Sequence, residues 1–597
     1  MTASPSAFTL TEVQRQRLRR ALDREGHSYN PAERLLRVPF SSPGYHTTLK
    51  GGWVHPTRES FIYAVALLDS GERDERDRAL GILDRLLALQ DTDPASTTYG
   101  IWSWFMDESL EQMAPPDWNW ADFCGAQLLE IALTHGPFLP LDLQARIRES
   151  ILHAARSIER RDVGPHYTNI AIMGSFVTLM AAENYEVPDL RTYAMAKLRL
   201  FHAFTREQGG FAEYNSPTYT VVALDELGRL LRFARDPEAR VMIEELYRTA
   251  WKEIANHFHA PTRQWAGPQS RAYQTLLSPH VYGLLHRATD GRFLGDDVEP
   301  VLNEHRLVHV CPPDLEPSFL SLEKPREVRQ TFIQGKDGCP GIIGTTYLAP
   351  EFTLGSVNVG DLWNQRRALL AYWGAPEAAS SLRLRFLHDG ADFSGAYLLS
   401  VQRGGDLLGG IGFALDGYDT HPFFDKIKDG AIRARDLRLR FEIEGPAASR
   451  LPSAPTNLRD PWMFDDGDFH LAVTVAHAVW GDAEGCWEMG GGEGKSWLDV
   501  VLYAGPEQKF DLAEMSGAAC ALAVRCAAES VEPFAPEVAC KDGRLVITAD
   551  GLEVTCASVP LSTEKLLGSF STSQSPSLLA GHLHSSAAME TSAKVAI

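Results

Sequence analysis

Residues 209–219, GGFAEYNSPTY, combine two glycines with several side chains that donate or accept protons. Paired glycines permit a sharp turn, and an Asn-Ser-Pro bend can direct the side chain that follows it. Glu213 would anchor such a loop by hydrogen bonds, and Tyr219 would point into a cleft. A phenol and a carboxylate in one loop suit general acid–base catalysis. An ordinary turn between two helices, with incidental tyrosines, is the alternative explanation.

Tryptophans and carboxylates are interleaved in a second stretch, WSWFMDESLEQMAPPDWNWADF, residues 102–123. Sugar rings stack on aromatic faces while their hydroxyls bond to carboxylates, so this composition suits a carbohydrate cleft. Trp118 is our candidate for a side chain that binds sugar. Core tryptophans at the corner of a helix hairpin would explain the same pattern.

A third stretch, GPHYTNIAIMG, residues 164–174, places His166 and Asn169 at the start of an apolar segment that predicts a helix over 170–183. The amides of a helix N-terminus and an Asn side chain can hold an anionic or polarised oxygen. Capping of the helix by Thr168 or Asn169 is the alternative.

Arginines concentrate in two further stretches, residues 257–273 and 352–373. A guanidinium in a Gly/Pro-rich loop can bind a carboxylate through two parallel hydrogen bonds. Salt bridges at the surface are the alternative for the arginines of 257–273, and we prefer it for Arg263. The polar residues of 352–373 could instead form only an interdomain hydrogen-bond network. The candidate binding residues in these stretches are Arg271, Trp363, Asn364, Arg366 and Arg367.

The elements that must position these groups change in the middle of the chain. About ten helical segments follow one another between residues 11 and 290, with short breaks such as Gly136-Pro137 and Gly164-Pro165. Beyond residue 300 the apolar residues alternate, as in 382–386 and 437–443, which predicts antiparallel strands. We expect an α+β multidomain protein: an N-terminal α/α toroid over 1–300, an antiparallel β-sandwich over 301–570 and a flexible tail over 571–597. An open helical solenoid is the alternative for the first domain.

Composition excludes some classes of partner. The formal charge of -21 argues against a general nucleic-acid binder, which needs a basic face. The first residues contain no apolar targeting region, and no apolar run is long enough to span a bilayer, so we expect a cytoplasmic protein without a membrane partner. Eight cysteines without a CxxC pair predict free thiols, and no His or Cys spacing demands a metal. We predict no cofactor.

Asn169, followed some fifty residues later by a loop with Gly210, Glu213 and Tyr219, resembles a motif of the heparinase II/III-like and alginate-lyase-like polysaccharide lyases. These lyases join an α/α toroid to antiparallel β-sheets. The resemblance implies β-elimination on a glycan that contains uronic acid: the C5 proton is removed, the bond to O4 breaks, and an unsaturated uronate forms. It implies an acidic oligosaccharide or polysaccharide as the partner, with no prediction of the oligomeric state.

The resemblance also implies roles for individual residues. Asn169, with Arg271 or an arginine of 366–367, would neutralise the substrate carboxylate, and Tyr219 would be the acid and a candidate for the base. Several of these lyases have His directly after the Asn, whereas Ile170 stands there in this sequence. His166, three positions before the Asn, is therefore a second candidate for the base. Contacts to substrate are assigned to Glu213, Tyr214 and Asn215, although Tyr214 could face the core instead.

Two rival functions fit the same fold. An α/α toroid can carry a glycoside hydrolase, which needs two carboxylates that flank the scissile bond. The acids available for such a pair are Asp107, Glu108, Asp117, Asp122 and Glu213. A glycan-binding protein without catalytic activity is the other rival.

Overall fold

The helical periodicity of the first half corresponds to ten α-helices between Glu12 and Ala288 in the described residues. The computed structural model describes residues 10–293, 299–307, 309–336, 338–416, 427, 429–530 and 532–574. Two further short helices lie outside the predicted helical region. The helices are α1 Glu12–Gly26, α2 Thr57–Ser70, α3 Arg73–Leu87, α4 Trp120–His135, α5 Leu141–Arg161, α6 Thr168–Tyr185, α7 Pro188–Gln208, α8 Tyr219–Phe233, α9 Pro237–His257, α10 Pro279–Ala288, α11 Pro317–Leu320 and α12 Thr563–Gly568.

The chain divides into two compact units. The first, the helical unit, comprises Met1–Ala255 and Leu277–Leu320, and the second, the β-rich unit, comprises Asn256–Leu276 and Ser321–Ile597. Residues 256–276 fall within the predicted first domain, 1–300. They group with the β-rich unit because their backbone bonds there: Gln269 and Arg367 exchange two hydrogen bonds of 3.1 and 2.9 Å.

The helical unit is built from hairpins, because the connections between consecutive helices are short. In each of three hairpins one helix packs on its sequence neighbour: α2 on α3, α4 on α5 and α6 on α7. The first members also pack on each other in order, α2 on α4, α4 on α6 and α6 on α8. The unit therefore has an inner and an outer row of helices, the arrangement of an α/α toroid.

Sequence patterning explains which helices are inner. The inner helix α6 is apolar on all sides, and it is buried almost continuously from Thr168 to Ala182. The outer helices α5 and α7 bury only one stripe and carry charged residues on the other face. A helix that is apolar all round is stable only in the interior, whereas an amphipathic helix can cover it.

The alternating segments beyond residue 300 form antiparallel strands, as predicted. For example, Leu384 and Phe386 in β12 pair with Phe441 and Leu439 in β16. The strands are β1 Tyr29–Asn30, β2 Leu35–Leu36, β3 Val38–Ser41, β4 Gly51–Val54, β5 Phe258–His259, β6 Gln264–Trp265, β7 Arg326–Ile333, β8 Ile342–Leu348, β9 Phe352–Val357, β10 Val359–Asp361, β11 Leu369–Ala375, β12 Ala378–His388, β13 Ala391–Asp392, β14 Ala396–Arg403, β15 Asp406–Phe413, β16 Ala431–Glu444, β17 Trp462–Asp466, β18 Phe469–Trp480, β19 Ala483–Glu484, β20 Cys486–Gly492, β21 Lys495–Asp511, β22 Ala518–Ala527, β23 Glu537–Lys541, β24 Arg544–Ala549, β25 Leu552–Ala557 and β26 Ser571–Gln574.

Three sheets make up most of the β-rich unit. A nine-stranded sheet has the order β20-β21-β16-β12-β11-β9-β8-β7, with β13 paired to β12. A seven-stranded sheet has the order β10-β14-β15-β22-β18-β17, with β19 paired to β18, and a four-stranded sheet has the order β23-β24-β25-β26. Three further sheets have two strands each: β1-β2 and β3-β4 belong to the helical unit, and β5-β6 belongs to the β-rich unit.

The two large sheets pack face to face as a sandwich. Trp373 in β11 stacks on Phe469 in β18 with ring centroids 4.3 Å apart, and Phe386 meets Phe413 edge to face at 4.9 Å. The four-stranded sheet covers the outer face of the seven-stranded sheet through a core that includes Leu408 and Ile547. The predicted sandwich is thus extended by a third layer.

The predicted tail begins inside this third layer. Residues 571–574 pair with β25, and residues 575–597 lie outside the described residues. All eight cysteines are free thiols, as predicted, and five of them are buried. Among the described residues, no helix is both long and apolar enough to cross a membrane.

Candidate active site

The loop 209–219 connects α7 to α8, so it interrupts the helical array where the sequence predicted. Gly209, with a φ of 83°, ends α7 in the left-handed region that favours glycine. The amides of Gly209 and Gly210 both donate to the Thr205 carbonyl at 3.0 Å. The two glycines therefore turn the chain away from the helix axis.

Glu213 binds the start of the inner helix α6. Its Oε2 accepts the backbone N–H of Asn169 at 2.9 Å and the side-chain Nδ2 of Asn169 at 2.6 Å. In return, the Glu213 amide donates to Oγ1 of Thr168 at 3.2 Å. All three residues are buried. The prediction that Glu213 anchors the loop by hydrogen bonds is confirmed, and its partner is the other half of the family-like motif.

Tyr219 is the first residue of α8 and is half-buried. Its amide donates to Oγ of Ser216 at 2.9 Å, and the Ser216 amide donates to Oγ1 of Thr220 at 3.3 Å. This reciprocal pair holds the first turn of the helix. The positive end of the helix dipole lies at this turn and favours negative charge there.

Tyr214 and Asn215 lie in the interior of the loop. Tyr214 is buried, and Asn215 is fully buried with a φ of 44°, in the left-handed region. The Asn215 amide donates to Oε1 of Glu253 in α9. Both side chains therefore pack within the protein in this conformation, and their assignment as contacts to substrate stays a prediction.

His166 lies in the turn before α6 and is exposed. Its ring covers Gly164: a Cβ at that glycine would stand 2.8 Å from Nδ1 of His166. The neighbouring Tyr167 accepts a hydrogen bond from Nδ2 of Asn119 at 3.3 Å, and Arg161 donates to the Asn119 amide oxygen at 2.5 Å. The role of His166 as a base stays a prediction.

Aromatic side chains form a half-buried cluster near the start of α4. The rings of Trp104 and Trp120 lie 5.2 Å apart, and His46 lies 5.2 Å from Trp104. Trp118 is half-buried, and its indole N–H donates to the Thr97 carbonyl at 2.9 Å. Of the four tryptophans in 102–123, only Trp102 is fully buried. The other three keep part of their surface in contact with solvent, as a sugar-binding surface requires.

The acids available to a hydrolase are mostly engaged in local contacts. Oδ1 of Asp107 bonds the His55 ring at 2.9 Å, and Glu108 accepts from Thr47 and Thr48. Asp117 accepts the indole N–H of Trp104 at 3.1 Å. Asp122 is buried, and its Oδ1 has no hydrogen-bond partner in the described part of the chain. Burial raises the pKa of Asp122 well above its usual range.

Among the candidate arginines of the β-rich unit, Arg271 is half-buried and stacks on an aromatic ring. Its Nε donates to Oε1 of Gln365 at 2.7 Å, and its guanidinium lies over the ring of Trp363, 5.0 Å from the ring centroid. Arg271 is half-buried, and Trp363 is buried beneath it. Stacking on the ring and the hydrogen bond to Gln365 together restrict the orientation of the guanidinium. A contact of Arg271 with a substrate carboxylate stays a prediction.

Two of the other predicted arginines are occupied within the same unit. Nε of Arg366 lies 2.9 Å from Oδ2 of Asp361. Arg367 is buried and donates to the carbonyls of Asn364, Arg366 and Ala272. Burial lowers the pKa of Arg367 to about 9. Arg367 therefore supports the backbone around Arg271, and a direct contact of either arginine with substrate stays a prediction, as it does for half-buried Asn364.

Glu253, Tyr45 and His46 are not among the residues predicted from the sequence. Glu253 stands between the core residues Trp251 and Ile254. A charged residue at a position where the helical pattern places the core could have identified it. Tyr45 and His46 contact Trp104 from a distant segment and left no signal in the sequence. No group of three or more His, Cys, Asp or Glu side chains in the described ranges is arranged to hold a metal ion.

Comparison with known proteins bears on the fold. Residues 41–286 match a family model described as a domain of unknown function, DUF8769. The search of curated proteins found no match. The chondroitin AC lyase of Streptomyces coelicolor A3, solved in complex with chondroitin sulphate, is similar with a TM-score of 0.52 and 12% identity, over 93% of this chain and 86% of the lyase. Heparinase III is similar with a TM-score of 0.47 and 10% identity, over 94% of this chain and 93% of its own.

At such low identity the similarity to the Streptomyces coelicolor lyase establishes the fold and nothing finer. The resemblance to polysaccharide lyases that the sequence indicated is confirmed at that level. The chain has the fold of a polysaccharide lyase, an α/α toroid followed by antiparallel β-sheets.

Proposed function

We propose that this protein is a lyase that cleaves a uronic-acid-containing glycan by β-elimination. One observation carries the proposal: two hydrogen bonds from Asn169 to Glu213 join the N-terminus of α6 to the loop that ends at Tyr219. These bonds tie the Asn169 amide to the loop that leads to Tyr219 at the start of α8. The similar Streptomyces coelicolor lyase was solved with chondroitin sulphate, which makes such glycans the first to test.

The first requirement of β-elimination is neutralisation of the carboxylate beside C5, because a C5 carbanion is otherwise too unstable to form. The Nδ2 of Asn169 carries two hydrogens, and Glu213 accepts one of them. The second is the donor that we assign to the substrate carboxylate, with support from the dipole of α6. Arg271 in the β-rich unit is assigned to carboxylate binding as a separate prediction.

The second requirement is proton transfer. In the proposed reaction Tyr219, as a phenolate, takes the C5 proton, and the C4–O4 bond breaks as the C4=C5 double bond forms. The resulting phenol then protonates O4 of the leaving sugar. Tyr219 thereby returns to the phenolate, and the proton from C5 ends on O4. The place of Tyr219 at the positive end of the α8 dipole supports the phenolate.

The test combines two assays on one panel of uronic-acid oligosaccharides. Ultraviolet absorbance reports the conjugated double bond of an elimination product, and a reducing-end assay reports cleavage of any kind. Tyr219→Phe removes only the hydroxyl, and Tyr185→Phe, on the far end of α6, is the matched control. We expect absorbance with wild type and with Tyr185→Phe, and none with Tyr219→Phe.

Each other outcome has a defined meaning. Absorbance that persists in Tyr219→Phe would retain the lyase and remove Tyr219 from the chemistry, and His166→Gln would then test the second candidate base. Reducing ends without absorbance would replace the proposal with the hydrolase. Binding of an acidic oligosaccharide without any product would replace it with the glycan-binding protein.

A further inference from the structure

Glu253 is a buried carboxyl group in the helical unit for which the proposed chemistry has no use. It lies in the last part of α9, between the fully buried side chains of Trp251 and Ile254, and is itself buried. A carboxyl group in such a place costs stability unless it makes a necessary contact. Its contacts therefore indicate why the position is not apolar.

The one hydrogen bond that Glu253 forms in the described chain goes to the loop 209–219. Its Oε1 accepts the backbone N–H of Asn215. Asn215 has a φ of 44°, a conformation in which its amide belongs to no helix or sheet ladder. A buried amide needs a partner, and Glu253 supplies the acceptor from a neighbouring helix.

The second oxygen of Glu253 is in a different situation. Oε2 is buried and has no hydrogen-bond partner among the described residues. Burial raises the pKa of Glu253 to about 8, and the Asn215 amide offsets only part of this effect. At neutral pH the side chain is therefore a neutral acid that serves as an acceptor through Oε1, which a glutamine could imitate.

The loop is thus held at two neighbouring points by two different acids. Glu213 bonds from the loop to Asn169 in α6, and Glu253 bonds from α9 to Asn215, two residues further along. Tyr219 follows four residues after Asn215, at the end of the same loop. Fixing the backbone at Asn215 restricts the path of the chain between the carboxylate anchor and the phenol.

We propose that Glu253 is a positioning residue, which holds the loop 209–219 through the Asn215 amide so that Asn169 and Tyr219 keep their arrangement. The catalytic part of this inference rests on the proposed lyase function, whereas the effect on the loop does not. Glu253 acts only through the loop and touches no substrate.

The experiment compares Glu253→Gln, which keeps an acceptor, with Glu253→Leu, which removes it at similar volume. Hydrogen exchange of peptides that cover residues 210–219 measures the loop directly, thermal unfolding measures the whole unit, and the absorbance assay gives kcat and KM. Glu244→Leu, at an exposed position of α9, is the control for an apolar substitution in this helix.

We expect Glu253→Leu to accelerate exchange of the loop amides by about tenfold or more, the usual effect of losing a buried hydrogen bond. Its kcat should fall by at least about tenfold with a smaller change in KM. Its unfolding temperature should change little, because the gain from an apolar side chain in the core offsets the loss of the hydrogen bond to the Asn215 amide. Glu253→Gln and Glu244→Leu should behave like wild type in all three measurements.

Exchange of the loop in Glu253→Leu at the wild-type rate would overturn the inference, as would equal damage in Glu253→Gln. A uniform rise of exchange throughout the unit would assign Glu253 a role in global stability and would also overturn it. If Glu253→Leu does not fold, Glu253→Met replaces it. If wild type lacks lyase activity, the exchange result still decides the effect on the loop, so failure of the two proposals can be told apart.

Discussion

Asn169 and Glu213 are joined by a side-chain hydrogen bond of 2.6 Å, and the same carboxylate oxygen accepts the Asn169 backbone N–H at 2.9 Å. The amide of Asn169 is therefore fixed in orientation before any ligand binds. A fixed donor is worth more to catalysis than a mobile one, because no reorganisation is needed when charge develops. The first prediction concerns this pair.

Glu213→Ala should lower kcat by at least about tenfold, since it releases both the Asn169 amide and the loop that ends at Tyr219. Glu213→Gln keeps an oxygen that can accept both hydrogen bonds but lacks the negative charge, and its kcat should lie between those of Glu213→Ala and wild type. Steady-state kinetics in the absorbance assay measures both. Glu149→Ala, at an exposed position of α5, is the control. An unchanged kcat in Glu213→Ala would show that the anchor is dispensable.

Arg271→Ala should raise KM for uronate oligosaccharides by about tenfold or more, as expected for loss of a charge-assisted pair with a carboxylate. Arg271→Lys should recover little of this, because an ammonium cannot lie flat on Trp363 and also form two parallel bonds. Arg263→Ala is the control, since Arg263 forms a loose surface ion pair with Glu377 at 3.7 Å. Equal KM values for the two alanine variants would remove Arg271 from substrate binding.

Asp122→Asn should leave the rate of glycan cleavage within about threefold of wild type, because burial raises the pKa of this acid well above its usual range and so favours the neutral form, which asparagine matches in shape. A folded-state pKa that is raised stabilises the protein at low pH, and this stability is lost as pH rises above the usual pKa of aspartate. The variant should therefore gain stability relative to wild type as pH rises above the usual pKa of aspartate, an effect that urea unfolding measures. Loss of cleavage with normal folding would instead support a hydrolase.

The β-rich unit should lose stability in acid because of two buried histidines. Nε2 of His259 bonds the Ala349 carbonyl at 2.7 Å and Nδ1 bonds Oγ1 of Thr262 at 2.7 Å, which fixes a neutral ring with the proton on Nε2. Burial lowers the pKa of both His257 and His259 from 6.5 to about 4. A depressed histidine pKa means that the unfolded chain binds more protons below pH 6.5, so acid favours unfolding.

Stability should fall by roughly 1.4 kcal/mol per pH unit for each histidine as pH drops from 6.5 towards 4. Unfolding in urea at a series of pH values measures this slope. His259→Gln should reduce the slope whatever its effect on stability at pH 7, whereas exposed His280→Gln should not. If the free energy of unfolding depended on pH equally in His259→Gln and His280→Gln, buried His259 would not be a cause of the loss of stability in acid.

Local sequence determined the elements of this protein. The apolar pattern of 170–183 predicts a helix, and α6 extends over Thr168–Tyr185. The alternation in 382–386 predicts an antiparallel strand, and these residues lie in β12, where Phe386 packs between the sheets against Phe413. The glycines at 209 and 210 mark the end of a helix. These features depend on the period of burial and on backbone conformation, both of which are encoded within a few residues.

The composition of the loop 209–219 also predicted that Glu213 is an anchor, but it did not predict which residues Glu213 contacts. That Asn169 would receive both hydrogen bonds, and that Glu253 would hold the same loop from α9, depends on how helices pack. The assignment of residues 256–276 is similar: their helical neighbours in sequence did not predict that their backbone pairs with 365–367. Likewise, only packing separates half-buried Arg271 from buried Arg367.

The sequence by itself therefore determined where helices, strands and the acid-rich and tyrosine-rich loop occur, because these follow from local periodicity and from glycine and proline chemistry. Only the tertiary structure decided which of the many polar residues are anchored, buried or presented. The physical reason is that the burial and the hydrogen-bond partner of a side chain are set by residues far away in the chain, as Glu253 and Asn215 are for each other.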